Sequence, residues 1–229
     1  RAGGEDVPRD LGFAAALRVP RFARETEDED GQIVGNAYHR FMQHADLKRL
    51  RRTADIQEQL AQLVGDSRLS AGEVRLLSPA DIVWFATTDE GKLLAQRADA
   101  CRREVPFVYA LPVAGGAERM VLRGVIDCLL ESEDRLLILD YKTDRVRGAA
   151  AWEERIASYS VQLWLYALAA AEVFGRPATA ATLVFLRQRR VVPVPTEPLA
   201  LETILAWVGG PEELGGARRS AGDASAGPL

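Results

Sequence analysis

The spacing of apolar residues changes along this chain, and each change of period marks a different kind of element. From Ile33 to about Leu50, Ile33, Ala37, Phe41 and Ala45 recur every four positions, with Tyr38 and Met42 on the adjoining face. That period predicts a helix. A second helix is expected over Thr53 to Leu63 with Thr53 as its cap, a third starting at Ser78-Pro79, and a fourth over about Asp89 to Ala98. The pattern then turns to runs of β-formers: Glu104 to Leu111, Arg119 to Leu130 and Leu136 to Lys142. Pro112-Val-Ala-Gly-Gly116 supplies the first reversal, so the three runs read as an antiparallel meander. A long helix follows, about Ala151 to Phe174, stopped by Gly175 with Pro177 beyond. Thr182 to Leu186 and Val191 to Val194 read as two more strands, and about Leu199 to Val208 as a last helix.

The ends look different. Leu11 to Val19 reads as a short ordered segment, and Glu25 to Gly31 as an acidic loop. From Gly209 the chain is rich in Gly, Ala, Ser and Pro without apolar period, the composition of a flexible tail. The expected organisation is an extension over 1–31, one domain over 32–208 and a tail over 209–229. No apolar run reaches the roughly 20 residues that span a bilayer, no signal peptide is visible, and a cytoplasmic setting is expected. Residue 1 is Arg, and the chain is read as a piece of a longer protein. Cys101 and Cys128 lack the spacing of metal ligands, which leaves no site for an iron–sulfur cluster; no phosphate-binding loop of an ATPase is present either. With 229 residues and a net charge of −4, the chain is not a free-standing electrostatic binder of nucleic acid. Its basic clusters are local: Lys48 to Arg52, Arg145 and Arg147, and Arg187 to Arg190.

Chemistry enters at the ends of two apolar runs. Gly124-Val-Ile leads into Asp127, and Leu136-Leu-Ile-Leu leads into Asp140-Tyr-Lys142-Thr-Asp144. A hairpin centred between Glu133 and Asp134 places Asp127 opposite Asp140. Side chains alternate along a strand, so Asp140, Lys142 and Asp127 share one face while Cys128 points to the other. Two neighbouring carboxylates are costly to bury unless a cation neutralises them. Hard oxygen ligands favour Mg²⁺ or Mn²⁺, and a lysine beside such an ion can orient water or offset negative charge. A plain salt bridge on a solvated sheet face is the alternative.

Other residues can join this patch. His39 follows Gly35 by one turn, and a helical glycine is tolerated where something approaches closely. His39 is therefore a candidate metal or phosphate contact, or else a satisfied, partly buried histidine. Glu104 opens its strand near Ile126 and Asp127 and is either a third carboxylate or a partner of Arg102 or Arg103. Tyr159, Gln162 and Tyr166 form one stripe of the long helix, facing substrate or lying at the core margin.

Together, Gly35-x-x-x-His39, Glu104-Val-Pro-Phe, Gly124-Val-Ile-Asp127, Asp140-Tyr-Lys142-Thr-Asp144 and Gln162-x-x-x-Tyr166 resemble the RecB-like branch of the PD-(D/E)XK nucleases. The order and spacing are similar to the C-terminal nuclease domain of AddA-type helicase–nucleases, over about residues 32 to 190. The resemblance implies a mixed α/β fold: a restriction-endonuclease-like core with a central mixed sheet, an antiparallel hairpin meander and flanking helices. It implies metal ligation by His39, Asp127, Asp140 and the Tyr141 carbonyl, with Glu104 as a further acid and Lys142 as the catalytic lysine. Gln162, Tyr166 and Tyr159 are then substrate contacts. It further implies a Mg²⁺-dependent deoxyribonuclease, Mn²⁺ substituting, that acts on single-stranded DNA in double-strand-break repair and recombination. It implies, too, a helicase motor upstream in the same polypeptide and an AddB-like partner subunit. A nuclease-like module that only grips DNA or docks another chain is the alternative.

Overall fold

The computed structural model describes residues 29–112, 119–133 and 135–196. Helices α1 (Glu29–His44), α2 (Thr53–Gly65), α3 (Ala71–Leu76), α4 (Pro79–Thr87) and α5 (Asp89–Gln96) come first. Strands β1 (Cys101–Pro112), β2 (Arg119–Glu131) and β3 (Leu136–Lys142) follow, then helix α6 (Ala149–Phe174) and strands β4 (Ala178–Phe185) and β5 (Arg190–Val194). The strands form one sheet in the order β1-β2-β3-β4-β5. All neighbours are antiparallel except β3 and β4, which run parallel because α6 carries the chain across between them. The mixed sheet with flanking helices is the architecture expected from the sequence. Among the described residues no helix is long and apolar enough to cross a membrane.

Each face of the sheet has its own core. On one, Phe41, Ile56, Phe85 and Leu94 from the N-terminal helices pack against Cys128, Leu130, Leu139 and Tyr141. On the other, Leu163 and Ala170 of α6 pack against Leu129, Ile138, Leu183 and Phe185. The two thiols fall on the first face, Cys128 buried and Cys101 partly so, both free and 3.0 Å apart.

The pleat is broken at one place. Arg103 reaches the carbonyls of Met42 and Ala45 on the α1 side, whereas Val105, two residues on, packs with the α6 core. Cys128 and Ile126 of the paired strand divide the same way. Between them Glu104 adopts φ 49°, the left-handed region that a residue with a side chain enters at a cost of about 1–3 kcal/mol. The ladder is interrupted there: Arg103 pairs with Cys128 and Val105 with Ile126, leaving Glu104 opposite Asp127 without a regular pair. Both strands turn over at this step, and the two acids sit on the seam between the cores.

Several element bounds differ from the sequence reading, each for a local reason. The first helix begins at Glu29, inside the stretch read as acidic loop, and ends at His44. Asp46 then caps a single 3-10 turn, Leu47–Arg49, by accepting from the Lys48 amide. Ile33 is 52% exposed, so the core stripe of α1 is Ala37, Tyr38, Phe41, Met42 and Ala45. Thr53 is the first helical residue of α2 rather than its cap; Arg52 holds that position without a side-chain bond. The short α3 has too few apolar residues to show a period, although Ser70 and Glu73 form a reciprocal capping box at its start. Strand β4 starts at Ala178, four residues before the expected Thr182, because pairing with β3 overrides the weak strand preference of Ala178, Ala180 and Ala181. The segments Leu11 to Val19 and Leu199 to Val208, and the tail, lie outside the described residues.

Gly124 shows how tightly the sheet meets α6. A Cβ there would come within 2.7 Å of Phe107 Cε1 and 3.0 Å of Tyr166 Cε1. These two rings already pack edge to face at 5.2 Å between centroids. Gly124→Ala is expected to destabilise the domain by about 1–3 kcal/mol in urea unfolding; a midpoint equal to the parent's would mean that both rings can step aside freely.

Candidate active site

The side chains expected to converge meet where α1, the β1–β2–β3 meander and α6 come together. Asp127 is buried, and its Oδ2 accepts from the Tyr141 backbone N–H at 2.6 Å. Its other oxygen lies 3.3 Å from His39 Nδ1, which is also 3.7 Å from Glu104 Oε1. His39 Nε2 is held at 2.9 Å from the Tyr141 carbonyl. That carbonyl, expected to face a metal, fixes the imidazole ring here with Nδ1 turned toward the two carboxylates. A hydrogen bond at one ring nitrogen sets the role of the other.

A second chain of contacts runs from the sheet into α6. Lys142 Nζ pairs with Asp140 Oδ2 at 2.7 Å and donates to Gln162 Oε1 at 2.9 Å. Gln162 Nε2 donates to the Tyr166 hydroxyl at 2.6 Å. The ammonium also stands 4.1 Å above the centre of the Tyr159 ring, a cation–π contact. Gln162, Tyr166 and Tyr159, expected at substrate, therefore touch the lysine or one another: Gln162 fixes Lys142, and Tyr166 fixes Gln162. The Tyr159 hydroxyl donates to both oxygens of Asp144, at 2.9 and 3.0 Å, with Arg155 Nε 3.7 Å from the same carboxylate. Asp144 thus anchors the ring beneath Lys142. Its place in the Asp-Tyr-Lys-Thr-Asp string signals a role at the site, but only the packing of α6 against β3 shows which one.

Charge in this site is crowded and dry. Asp140 is 1% exposed, and burial pushes its carboxyl up to about 6, with Lys142 pulling down and Asp127 adding to the rise. Burial lowers the affinity of His39 for a proton, but Asp127, Glu104 and Asp140 outweigh it, and its pKa is pushed up to about 10. As an imidazolium, His39 donates from both nitrogens. A divalent ion and the Nδ1 proton then compete for one position, as they do wherever histidine binds metal.

The residues present fit such an ion. One ligand atom each from His39, Glu104 and Asp127 all lie within 4.8 Å of one another. Two carboxylates and one imidazole suit a hard or borderline divalent cation. Asp140 adjoins this group, but its Oδ2 is committed to Lys142. Glu104, expected as a further acid of the site, lies within this group, and Asp140, expected as a ligand, lies beside it.

Residues 8–221 match the family described as the PD-(D/E)XK nuclease superfamily. The chain is 29% identical over 193 residues to the A-subunit of the ATP-dependent helicase/nuclease of Listeria monocytogenes serotype 4b, covering 80% of this chain and 16% of that protein. It is 31% identical over 170 residues to the corresponding ATP-dependent helicase/nuclease chain of Clostridium botulinum strain ATCC 19397, covering 70% and 13%. The chain spans only a small part of the length of these relatives.

The donor set can be tested without activity. In a Mn²⁺ titration, His39→Ala and Glu104→Gln are each expected to weaken binding at least about tenfold. Asp144→Asn, which touches Tyr159 and Arg155, is expected to bind as the parent does. Equal loss in all three would mean that general negative charge, not a donor group, holds the ion.

Proposed function

The chain belongs to the PD-(D/E)XK nuclease superfamily, and from that premise we propose that it is the Mg²⁺-dependent nuclease domain of an AddA-type helicase–nuclease. It cuts single-stranded DNA, with Mn²⁺ able to substitute. The observation that carries this reading is the convergence of His39, Glu104 and Asp127 on one point beside the Asp140–Lys142 pair. A motor in the same polypeptide supplies the strand, and an AddB-like partner completes the assembly, which works in the cytoplasm on broken DNA ends. The similarity to ATP-dependent helicase/nuclease chains over a small part of their length supports this placement.

The residues divide the work. His39, Glu104 and Asp127 would hold a divalent ion, which would supply Lewis-acid stabilisation of the phosphoryl oxygens. Lys142 has three N–H donors. The ammonium is paired with Asp140, donates to Gln162 and stands over the Tyr159 ring, and these contacts together would hold it beside the attacking water or a phosphate oxygen. Its charge offsets the negative charge that grows on the phosphoryl group as water attacks in line and the P–O bond breaks. Gln162, Tyr159 and Asp140 do not react; they hold the ammonium in one place, and positioning of this kind is worth more in a dry site than in water. Asp127, tied to the Tyr141 amide, keeps its remaining oxygen aimed toward His39 and Glu104.

Asp140→Ala is expected to abolish cleavage of single-stranded DNA in Mg²⁺. Lys142→Ala is expected to keep Mn²⁺ affinity while losing about 10²-fold or more in turnover. Asp140→Ala protein that cuts as fast as the parent would defeat the mechanism. A folded parent that binds DNA without cutting it in either ion would point instead to a module that only grips its substrate.

A further inference from the structure

One face of α1 lies outside both cores of the described residues. Gln32, Gly35, Asn36, His39, Arg40 and Gln43 follow one another at helical spacing, on the side away from the core stripe of Ala37, Phe41 and Ala45. They form one wall of a concavity of about 500 Å³ whose floor is Glu104, Tyr141, Lys142 and Thr143. The metal donors and the lysine therefore open into a cleft whose far side is a row of amides. Among the described residues, the side chains of Gln32, Asn36 and Gln43 make no hydrogen bond, while Arg40 is drawn aside by Glu73 at 2.9 Å.

Gly35 is the second observation. It has an ordinary helical φ, so no backbone strain requires a glycine. A Cβ added to it would meet Thr143 Oγ1 at 3.4 Å, an ordinary contact, so packing does not require one either. A glycine inside a helix nonetheless costs stability relative to alanine. Its effect is to leave a notch in the cleft wall, one turn before His39, where another molecule can approach the helix backbone.

We infer that this stripe of α1 is the track along which the substrate strand is held, with Gln32, Asn36 and Gln43 hydrogen-bonding the strand beside the scissile phosphate and Gly35 making room for it. The inference rests on the nuclease reading above and adds the residues that position its substrate. Amides suit the task. Each offers both donors and an acceptor, so it can meet sugar, phosphate or base edge. They add no charge to a cleft in which Glu104, Asp127 and Asp140 already repel a polyanion. The binding they provide is short-ranged and independent of salt, unlike phosphate neutralisation by Lys and Arg.

The experiment uses a fluorescent oligodeoxythymidylate, Mn²⁺, and the variants Gln32→Ala/Asn36→Ala/Gln43→Ala and Gly35→Ala. The triple variant is expected to raise KM about tenfold with kcat little changed, the signature of lost uniform binding. Its Mn²⁺ affinity and the slope of binding against salt should stay those of the parent. Gly35→Ala is expected to raise the melting temperature and yet to weaken strand binding, a pairing that a merely structural glycine would not show. The inference is overturned if both variants match the parent in KM and binding while the parent cleaves, or if the triple variant loses kcat or Mn²⁺ affinity instead. A parent that neither binds nor cuts the strand would overturn the nuclease reading along with it.

Discussion

The constraint on which this domain turns is the repulsion among carboxylates that the sheet forces together. Glu104, Asp127 and Asp140 come from three adjacent strands and meet at the inner side of a cleft, Asp127 and Asp140 buried and Glu104 partly exposed. Ionised side by side in a low-dielectric site, they would be strongly unfavourable. The surrounding residues answer that repulsion one by one. His39 takes up a proton and sits between Glu104 and Asp127; Lys142 pairs with Asp140; the Tyr141 amide donates to Asp127. The neighbouring carboxylates push the His39 pKa up to about 10, while burial first, and Asp127 after it, push that of Asp140 up to about 6. Such a site is poised to exchange a proton for a divalent ion, because the ion offsets more negative charge than the proton it displaces.

Local geometry follows from this. The donor group needs one residue from α1 and one from each of β1 and β2. Glu104 and Asp127 lie opposite one another on the paired strands and so share a side, at the step where Glu104 has a left-handed φ and both strands change the core that their neighbouring residues face. Strain at a functional position is tolerated where the neighbours over-determine it. Here Arg103 is tied to the end of α1 on one side of the step and Val105 is packed under α6 on the other.

That step also marks the boundary of what is legible in the sequence. The β2–β3 register is readable because a polar break flanked by two apolar runs fixes a hairpin, and the observed ladder from Glu131–Leu136 to Cys128–Leu139 keeps that register up to the residues next to Asp127 and Asp140. The end of α6 is readable because Gly175 takes the left-handed cap, at φ 63°. The inversion at Glu104 is not, since glutamate carries no sign of a positive φ, and only tertiary packing imposes it. The Tyr141 carbonyl and Gln162 are recognisable as site groups but their neighbours are not: whether a carbonyl faces an ion or a histidine depends on the placement of α1, which lies about a hundred residues away in the chain. The amide stripe of α1 is hidden for a simpler reason. Polar residues at helical spacing on a solvent face are ordinary, and only the cleft behind them distinguishes these.

The net charge of −4 bears on how such a site works. A domain of this charge does not draw DNA toward itself over distance, and among the described residues several basic side chains are engaged in local pairs, such as Arg49 with Glu58, Arg52 with Asp55 and Arg189 with Asp81. Under the proposed function, capture and cleavage are then separate tasks. A strand delivered by an attached motor arrives at a high effective concentration, so the domain itself needs only short-range contacts to align the phosphate. Weak, neutral contacts have a further advantage for an enzyme fed continuously. A site that gripped the polyanion strongly would bind ground state and transition state alike and slow the release of each product, whereas one whose strong charges all face the reacting phosphate places its interactions where they change the barrier.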